Sequence, residues 1–277
     1  MRSDCNTILA SAWRIFRHPW GTDMSEMNPN QPPVAVENAA GGFDANGRLL
    51  DAGHGWGWIA SAFALFMKWP LMWVLLFIVY FVCNVALSMI PLLGGIATML
   101  LFPVFGAGFM QACRSAEDGE EISVAQLFSG FKSHTNDLML VGLFACLPLV
   151  IVLAGLLVAG GAGIFGALFG GGPQALLALG VTFLLVLLLA LVVSVPVYMA
   201  LWFAAPLVMF DGLKPAAALK ASFSASLKNW AAFTLYGLIL IVLFVVAAIP
   251  FLLGLLVVVP VAMISSYTAY REIFFSK

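Results

Sequence analysis

Beyond residue 56 the chain alternates between short segments with apolar residues at helical spacing and long runs that are apolar on every side. Ile59, Phe63 and Phe66 precede Lys68; Val124, Leu127, Phe128 and Phe131 precede Lys132; Leu219, Phe223 and Leu227 precede Lys228. The second set is an i, i+3, i+4, i+7 stripe, the pattern of an amphipathic helix. Each such helix is too short and polar to span a bilayer, so it is expected in the interface or against the bundle's end, apolar face down. After each comes an apolar run, a proline and a second run. The runs are 71–90 and 92–113, 137–159 and 174–209, 231–249 and 251–270. About 20 residues, each rising about 1.5 Å, cross a hydrocarbon core of about 30 Å. Lipid offers backbone groups no partner, so such spans are helical. The pattern predicts an all-α integral membrane protein: six transmembrane helices as three repeated hairpins, each preceded by a short interfacial amphipathic helix. Pro91, Pro173 and Pro250 are expected to open the second helix of each hairpin, where a missing N–H costs nothing.

Residues 1–55 read as a polar, flexible, cytoplasmic N-terminal segment, and 56–277 as the six-helix membrane domain. The run Asn28-Pro29-Asn30-Gln31-Pro32-Pro33 has linker chemistry. Arg14, Arg17 and His18 interrupt any signal-peptide apolar core. Met24 and Met27 leave residues 1–23 open to reading as sequence upstream of the native start. Leu9 to Phe16 echoes Ile59 to Phe66 and reads either as a surface-lying helix or as chance similarity.

Composition agrees with a membrane protein and adds orientation. The chain is 63% hydrophobic and 9% charged, with mean hydropathy +1.06; soluble domains carry about 25% charged residues. A net charge of −1 leaves no basic footprint for nucleic acid. Lys and Arg of the membrane domain precede the first span or follow the second, fourth and sixth (Arg114, Lys132, Lys214, Lys220, Lys228, Arg271, Lys277). The positive-inside rule then places both termini in the cytoplasm. Trp69, Trp73, Trp202 and Trp230 suit the interfacial belt.

Candidate chemistry is sparse. No Asp, Glu, Lys, Arg or His lies between Trp69 and Cys113, between Leu138 and Phe210, or between Trp230 and Tyr270. That pattern argues against proton or sodium coupling, which uses such groups. Cys5, Cys83, Cys113 and Cys146 lack metal spacing, as do His18, His54 and His134. No catalytic, cofactor or metal residues are predicted. Asp118-Gly119 and Asp211-Gly212 read as turns rather than paired carboxylates. Pro103, Pro196 and Pro260 are candidate helix kinks, each removing one backbone bond. They serve either as packing devices or as the walls of a cavity. Lys68, Lys132, Lys214, Lys220 and Lys228 are candidate lipid-headgroup contacts, and they would equally set topology if they bind nothing. The apolar, glycine-rich tip Gly160–Gly172, with its Gly166-xxx-Gly170 spacing, is a candidate contact with another membrane protein or a second copy, or a simple flexible turn.

From Gly55-Trp56-Gly57-Trp58-Ile59 to Lys68-Trp69-Pro70, and from Ala205-Pro206-Leu207 through Ala218-Leu219-Lys220-Ala221-Ser222 to Lys228-Asn229-Trp230, the chain resembles a proteobacterial family of uncharacterised inner-membrane proteins. More distantly it is similar to the membrane domain of glycerophosphodiester phosphodiesterases. The resemblance implies a bacterial inner-membrane location near lipids. It carries over no catalytic residue and no soluble phosphodiesterase domain. The expected function is a non-enzymatic accessory or scaffold protein that associates with membrane lipid or another membrane protein. The rival is a transporter or flippase-like pathway for an apolar or lipid solute.

Overall fold

The computed structural model describes residues 42–91, 93–168, 173–249 and 251–276. Most of the N-terminal segment, Pro250, and residues 169–172 of the glycine-rich tip lie outside the described residues. The described chain is helical: α1 (His54–Phe66), α2 (Pro70–Ser88), α3 (Gly94–Glu117), a 3-10 helix (Val124–Phe131), α4 (Thr135–Ala145), α5 (Leu147–Leu168), α6 (Pro173–Leu201), α7 (Ala204–Met209), α8 (Pro215–Lys228), α9 (Trp230–Ala248) and α10 (Leu255–Phe274). Among the described residues five stretches are long and apolar enough to cross a membrane: Pro70–Ser88, Gly94–Glu117, Thr135–Val158, Gly180–Met209 and Trp230–Ala248. The expected sixth is not among them. The last three turns of α10 carry Ser265, Ser266, Tyr267, Thr268, Tyr270, Arg271 and Glu272, and much of that half is buried in the bundle.

Prolines set the helix boundaries, though not always where the sequence predicts. Pro173 opens α6 as expected, and Pro70 and Pro215 open α2 and α8 in the same way. Pro91 does not open a helix. It sits in the turn after α2, and α3 starts at Gly94, whose missing Cβ lets the chain reverse against the Leu87 carbonyl. The predicted span 137–159 is two helices, α4 and α5, parted at Cys146. Pro148 has no N–H to give Phe144, so the helix restarts with Pro148 in its first turn. Pro206 does the same to the predicted span 174–209, which breaks at Trp202 and Phe203 into α6 and α7. The last predicted span begins later than residue 251. Phe251 and Leu252 adopt positive φ (49° and 67°) in a left-handed turn, and α10 starts at Leu255.

The three short segments are present, with altered faces. α1 buries Trp58, Ile59, Ala62, Leu65 and Phe66 against α9 and α10, while Phe63 is exposed. The second is a 3-10 helix rather than an α-helix; it nests on α3, where Gly108 faces the Leu127 carbonyl and Gly130 faces the Val104 carbonyl. α8 buries Ala218, Ser222, Ala225 and Ser226 and leaves the predicted apolar stripe at Leu219, Phe223 and Leu227 partly or fully exposed. Small residues let α8 approach α6 closely, and backbone proximity decides which face turns inward.

Residues 42–53, expected within the flexible leader, are instead tied across the ends of α8 and α10. Asp44 N–H donates to the Phe274 carbonyl (2.9 Å) and Arg48 N–H to the Ile273 carbonyl (2.8 Å). Asn229 accepts from Leu50 N–H through its Oδ1 (2.8 Å) and donates to the Arg48 carbonyl through its Nδ2 (2.9 Å). Phe43 stacks on Phe274, and Gly47, at φ +65°, fits where a Cβ would meet Ala225 and Ile273.

Candidate functional site

The three helices that carry interior prolines meet at one cleft, and of those prolines Pro103 lines it. An apolar cleft of about 390 Å³ is lined by Pro103 and Gly106 of α3, by Tyr198 and Leu201 in the turns after Pro196, and by Val259 and Ala262 on either side of Pro260. Tyr80, Trp202 and Tyr236 close it. Its size falls in the range of about 300–1,000 Å³ usual for small-molecule sites. Its polar edges are largely committed. Tyr236 OH and Ser265 Oγ share a hydrogen bond of 2.7 Å, and Ser266 Oγ donates to the Met263 carbonyl (2.7 Å). Gly106 leaves real room, because a Cβ there would meet only Ala205 Cβ, at 4.0 Å.

The break between α6 and α7 forms part of this wall, and α8 holds it in place. Ser222 Oγ accepts from Phe203 N–H (3.0 Å) and donates to the Met199 carbonyl (2.8 Å). Ser226 Oγ donates to the same carbonyl (3.2 Å). The serines thus satisfy backbone groups that the interrupted ladder leaves open, as burial requires. Ala205-Pro206 and Ala218-Leu219-Lys220-Ala221-Ser222, two halves of the resemblance quoted above, are therefore one device: a proline that stops a helix and a serine that bridges the stop.

At the other end of α3 and α10 lies a cluster of charges and aromatic hydroxyls. Tyr267 OH donates to Glu117 Oε2 (2.6 Å), which also pairs with Arg271 Nε (3.2 Å). Glu272 takes the Trp58 indole N–H on Oε2 (2.7 Å) and His54 Nδ1 on Oε1 (2.8 Å). Tyr270 OH donates to Asp211 Oδ2 (2.6 Å), and the Arg114 guanidinium stands 5.2 Å from the Phe210 ring centre. Burial pushes the Asp211 carboxyl up to about 6, against the opposing pull of the Tyr270 bond, Arg114 and Arg271. The Asp-Gly steps are turns as read, with Gly119 and Gly212 at φ +79° and +62°, but Asp211 is also a buried tie. The sequence carried a signal for this cluster: Tyr267, Thr268, Arg271 and Glu272 recur at helical spacing.

Two of the candidate headgroup lysines are engaged with backbone carbonyls. Lys68 Nζ donates to the Ala116 carbonyl (3.3 Å) at the end of α3, where a cation suits the helix dipole. Lys228 Nζ donates to the carbonyls of Asn46 (2.9 Å) and Gly47 (3.4 Å) in the N-terminal strap. Lys132, Lys214 and Lys220 are exposed. Among the described residues no group of three or more His, Cys, Asp or Glu side chains is placed to hold a metal.

No family model matches the chain. No solved structure matches it either. Over 199 residues it is 31% identical to a probable inner membrane protein of Burkholderia thailandensis, an alignment covering 69% of this chain and 73% of that protein. With that likeness and helices apolar enough to cross a bilayer, the chain belongs to the family of this inner membrane protein.

Proposed function

We propose that this protein is a non-enzymatic accessory component of the bacterial inner membrane that holds one acyl chain of a lipid in the cleft at Pro103, Pro196 and Pro260. The observation that carries this reading is the convergence of three proline-bearing helices on one apolar cavity. In lipid, two packed apolar surfaces gain little over two lipid-facing ones, so a cavity between helices invites a chain to fill it. In this reading α10 is a sixth span, the three hairpins are kept, and both termini are cytoplasmic by the distribution of Lys and Arg. The resemblance to phosphodiesterase membrane domains supports a place among lipids and supplies no reaction. Exposed Lys132, Lys214 and Lys220 add contacts to anionic headgroups, each worth about 1 kcal/mol. A partner membrane protein would meet the α5–α6 hairpin.

The test is Gly106→Leu, which adds volume at the cleft from a Cβ that would meet only Ala205 Cβ, at 4.0 Å. Mass spectrometry of protein extracted in polymer-bounded membrane discs and exchanged into a neutral lipid should find a retained diacyl lipid. The variant should retain roughly tenfold less, about 1.4 kcal/mol of binding. Equal retention by the two proteins would end the proposal. A second reading, a pathway for an apolar solute, is favoured by the α6–α7 interruption in the cleft wall, since discontinuous helices line such sites. Fluorescent-lipid translocation in proteoliposomes, slowed by Gly106→Leu, would select it.

A further inference from the structure

At the charged end, α1, the end of α3 and the last turns of α10 enclose a second cavity of about 380 Å³. It shares no lining residue with the apolar cleft. Its wall sets opposite charges side by side. Arg271 and Glu117 pair through Nε and Oε2, and the two side chains are 44% and 43% exposed, so the pair is open rather than sealed. Glu117 Oε2 also takes the Tyr267 hydroxyl. Among the described residues, Glu117 Oε1 and the terminal nitrogens of Arg271 have no hydrogen-bond partner. The guanidinium stands 4.7 Å from the Phe275 ring centre.

Of the remaining polar groups of the wall, Glu272 and Thr268 are committed. Both oxygens of Glu272 are taken by Trp58 and His54, and Thr268 Oγ1 donates to the Trp58 carbonyl (2.9 Å). What faces the cavity is therefore one guanidinium fork and one carboxylate oxygen, adjacent, with the hydroxyl residues Ser61 and Ser276 beside them. A simple anion would be repelled by Glu117, and a simple cation by Arg271. A ligand with a negative and a positive group a few ångströms apart satisfies both. The guanidinium matches phosphate oxygens in bidentate fashion, and aromatic rings such as Tyr267 and Phe275 favour an ammonium.

We propose that this cavity binds a zwitterionic phosphate–ammonium group, phosphate on Arg271 and ammonium on Glu117. Such a group comes either as a phospholipid headgroup or as free phosphoethanolamine. The cavity lies where α3 and α10 turn from apolar to charged, the level at which headgroups sit if these helices span.

Ser61→Phe tests the site, because it fills the cavity and removes none of the hydrogen bonds above. In discs holding equal phosphatidylethanolamine and phosphatidylglycerol, the wild-type protein should retain the former about tenfold over the latter after exchange. Ser61→Phe and Glu117→Gln should each abolish that preference, while Gly106→Leu should not change which headgroup is preferred. Calorimetry with free phosphoethanolamine on delipidated protein distinguishes the source. Saturable binding that Ser61→Phe removes, without lipid preference, assigns the site to the soluble molecule. No preference and no binding, or either one surviving in Ser61→Phe, overturns the proposal. Unfolding midpoints of the variants, compared with wild type, separate loss of the site from loss of the fold.

Discussion

The α5–α6 hairpin and the charged end of the bundle are cut from the same hydrophobic chain and held by different forces. Of the span windows, Gly94–Glu117 has half its residues buried, against 17% for Thr135–Val158 and 22% for Gly180–Met209. α5 rests chiefly on α6, and the surfaces of both are mostly leucine and valine turned outward. Between such apolar surfaces in lipid, dispersion and close backbone approach are the main attractions. At the other end, backbones touch through glycine, and three tyrosine or tryptophan donors are bonded to carboxylates. Apolar composition places a helix in the membrane. Position within the bundle is set by a few glycines and polar ties.

The sharpest way to break that contrast is to add volume on both sides. A Cβ at Gly108 would run into the Leu127 carbonyl of the 3-10 helix, and backbone cannot step aside as a side chain can. Gly108→Leu should therefore cost more than about 3 kcal/mol, enough to prevent assembly of a marginally stable domain. In the hairpin, a Cβ at Gly155 would meet only the Val186 side chain, and one at Gly160 would meet nothing within 4 Å. Gly160→Leu should shift the unfolding midpoint by no more than a degree or two, about 0.5 kcal/mol. Fluorescence-detected size-exclusion chromatography with a thermal series compares the two directly. A folded Gly108→Leu variant would mean that the contact between α3 and the 3-10 helix is not what fixes this half.

Smaller, and confined to the tied half, is the loss of one serine. Ser222→Ala leaves the buried Phe203 N–H without its acceptor and takes one of two donors from the Met199 carbonyl. An unsatisfied buried group costs about 1–3 kcal/mol. Ser194, on the exposed part of α6, bonds only the Ala190 carbonyl of its own helix (2.7 Å). Ser194→Ala should be near neutral, and a thermal melt of the two variants in one detergent measures the difference.

What the sequence made legible follows the same division. Apolar runs predicted the membrane class, the short leading segments and the turns at Asp118 and Asp211, because these depend on local chemistry. Pro103, Pro196 and Pro260 were visible as candidate kinks, but not the meeting of their helices at one cleft, which depends on how α3, α6 and α10 cross. Helix ends were misplaced where a later proline moved the break upstream, as Pro148 and Pro206 do. The apolar stripe of α8 was legible, but not that Ala218, Ser222 and Ala225 on another face are the residues small enough to meet α6. The lysines read as candidate headgroup contacts or topology signals, and no sequence pattern announces that Lys68 and Lys228 also serve backbone carbonyls.

The smallest expected effect tests whether the tied half responds to pH. Asp211 faces Tyr270 and Arg271 from α10 and Arg114 from α3, yet burial outweighs all three and its carboxyl titrates at about 6 rather than the usual 3.8. Between those values the folded protein holds a proton that the unfolded chain has lost. Its stability from this group is therefore greatest below about pH 4 and falls as pH rises through 6. Asp211 is only partly buried, so screening by water trims the effect to under about 1 kcal/mol. Asp211→Asn keeps an oxygen for the Tyr270 hydroxyl and removes the titration. Its melting temperature relative to wild type should rise by a few degrees between pH 4.5 and pH 7.5. The same series on a hairpin variant such as Gly160→Leu should be flat, because the hairpin carries no ionisable side chain between Leu147 and Leu201 except Tyr198. An Asp211→Asn difference that is equally flat would mean the carboxylate stays charged in place, with Arg114 and Arg271 outweighing burial.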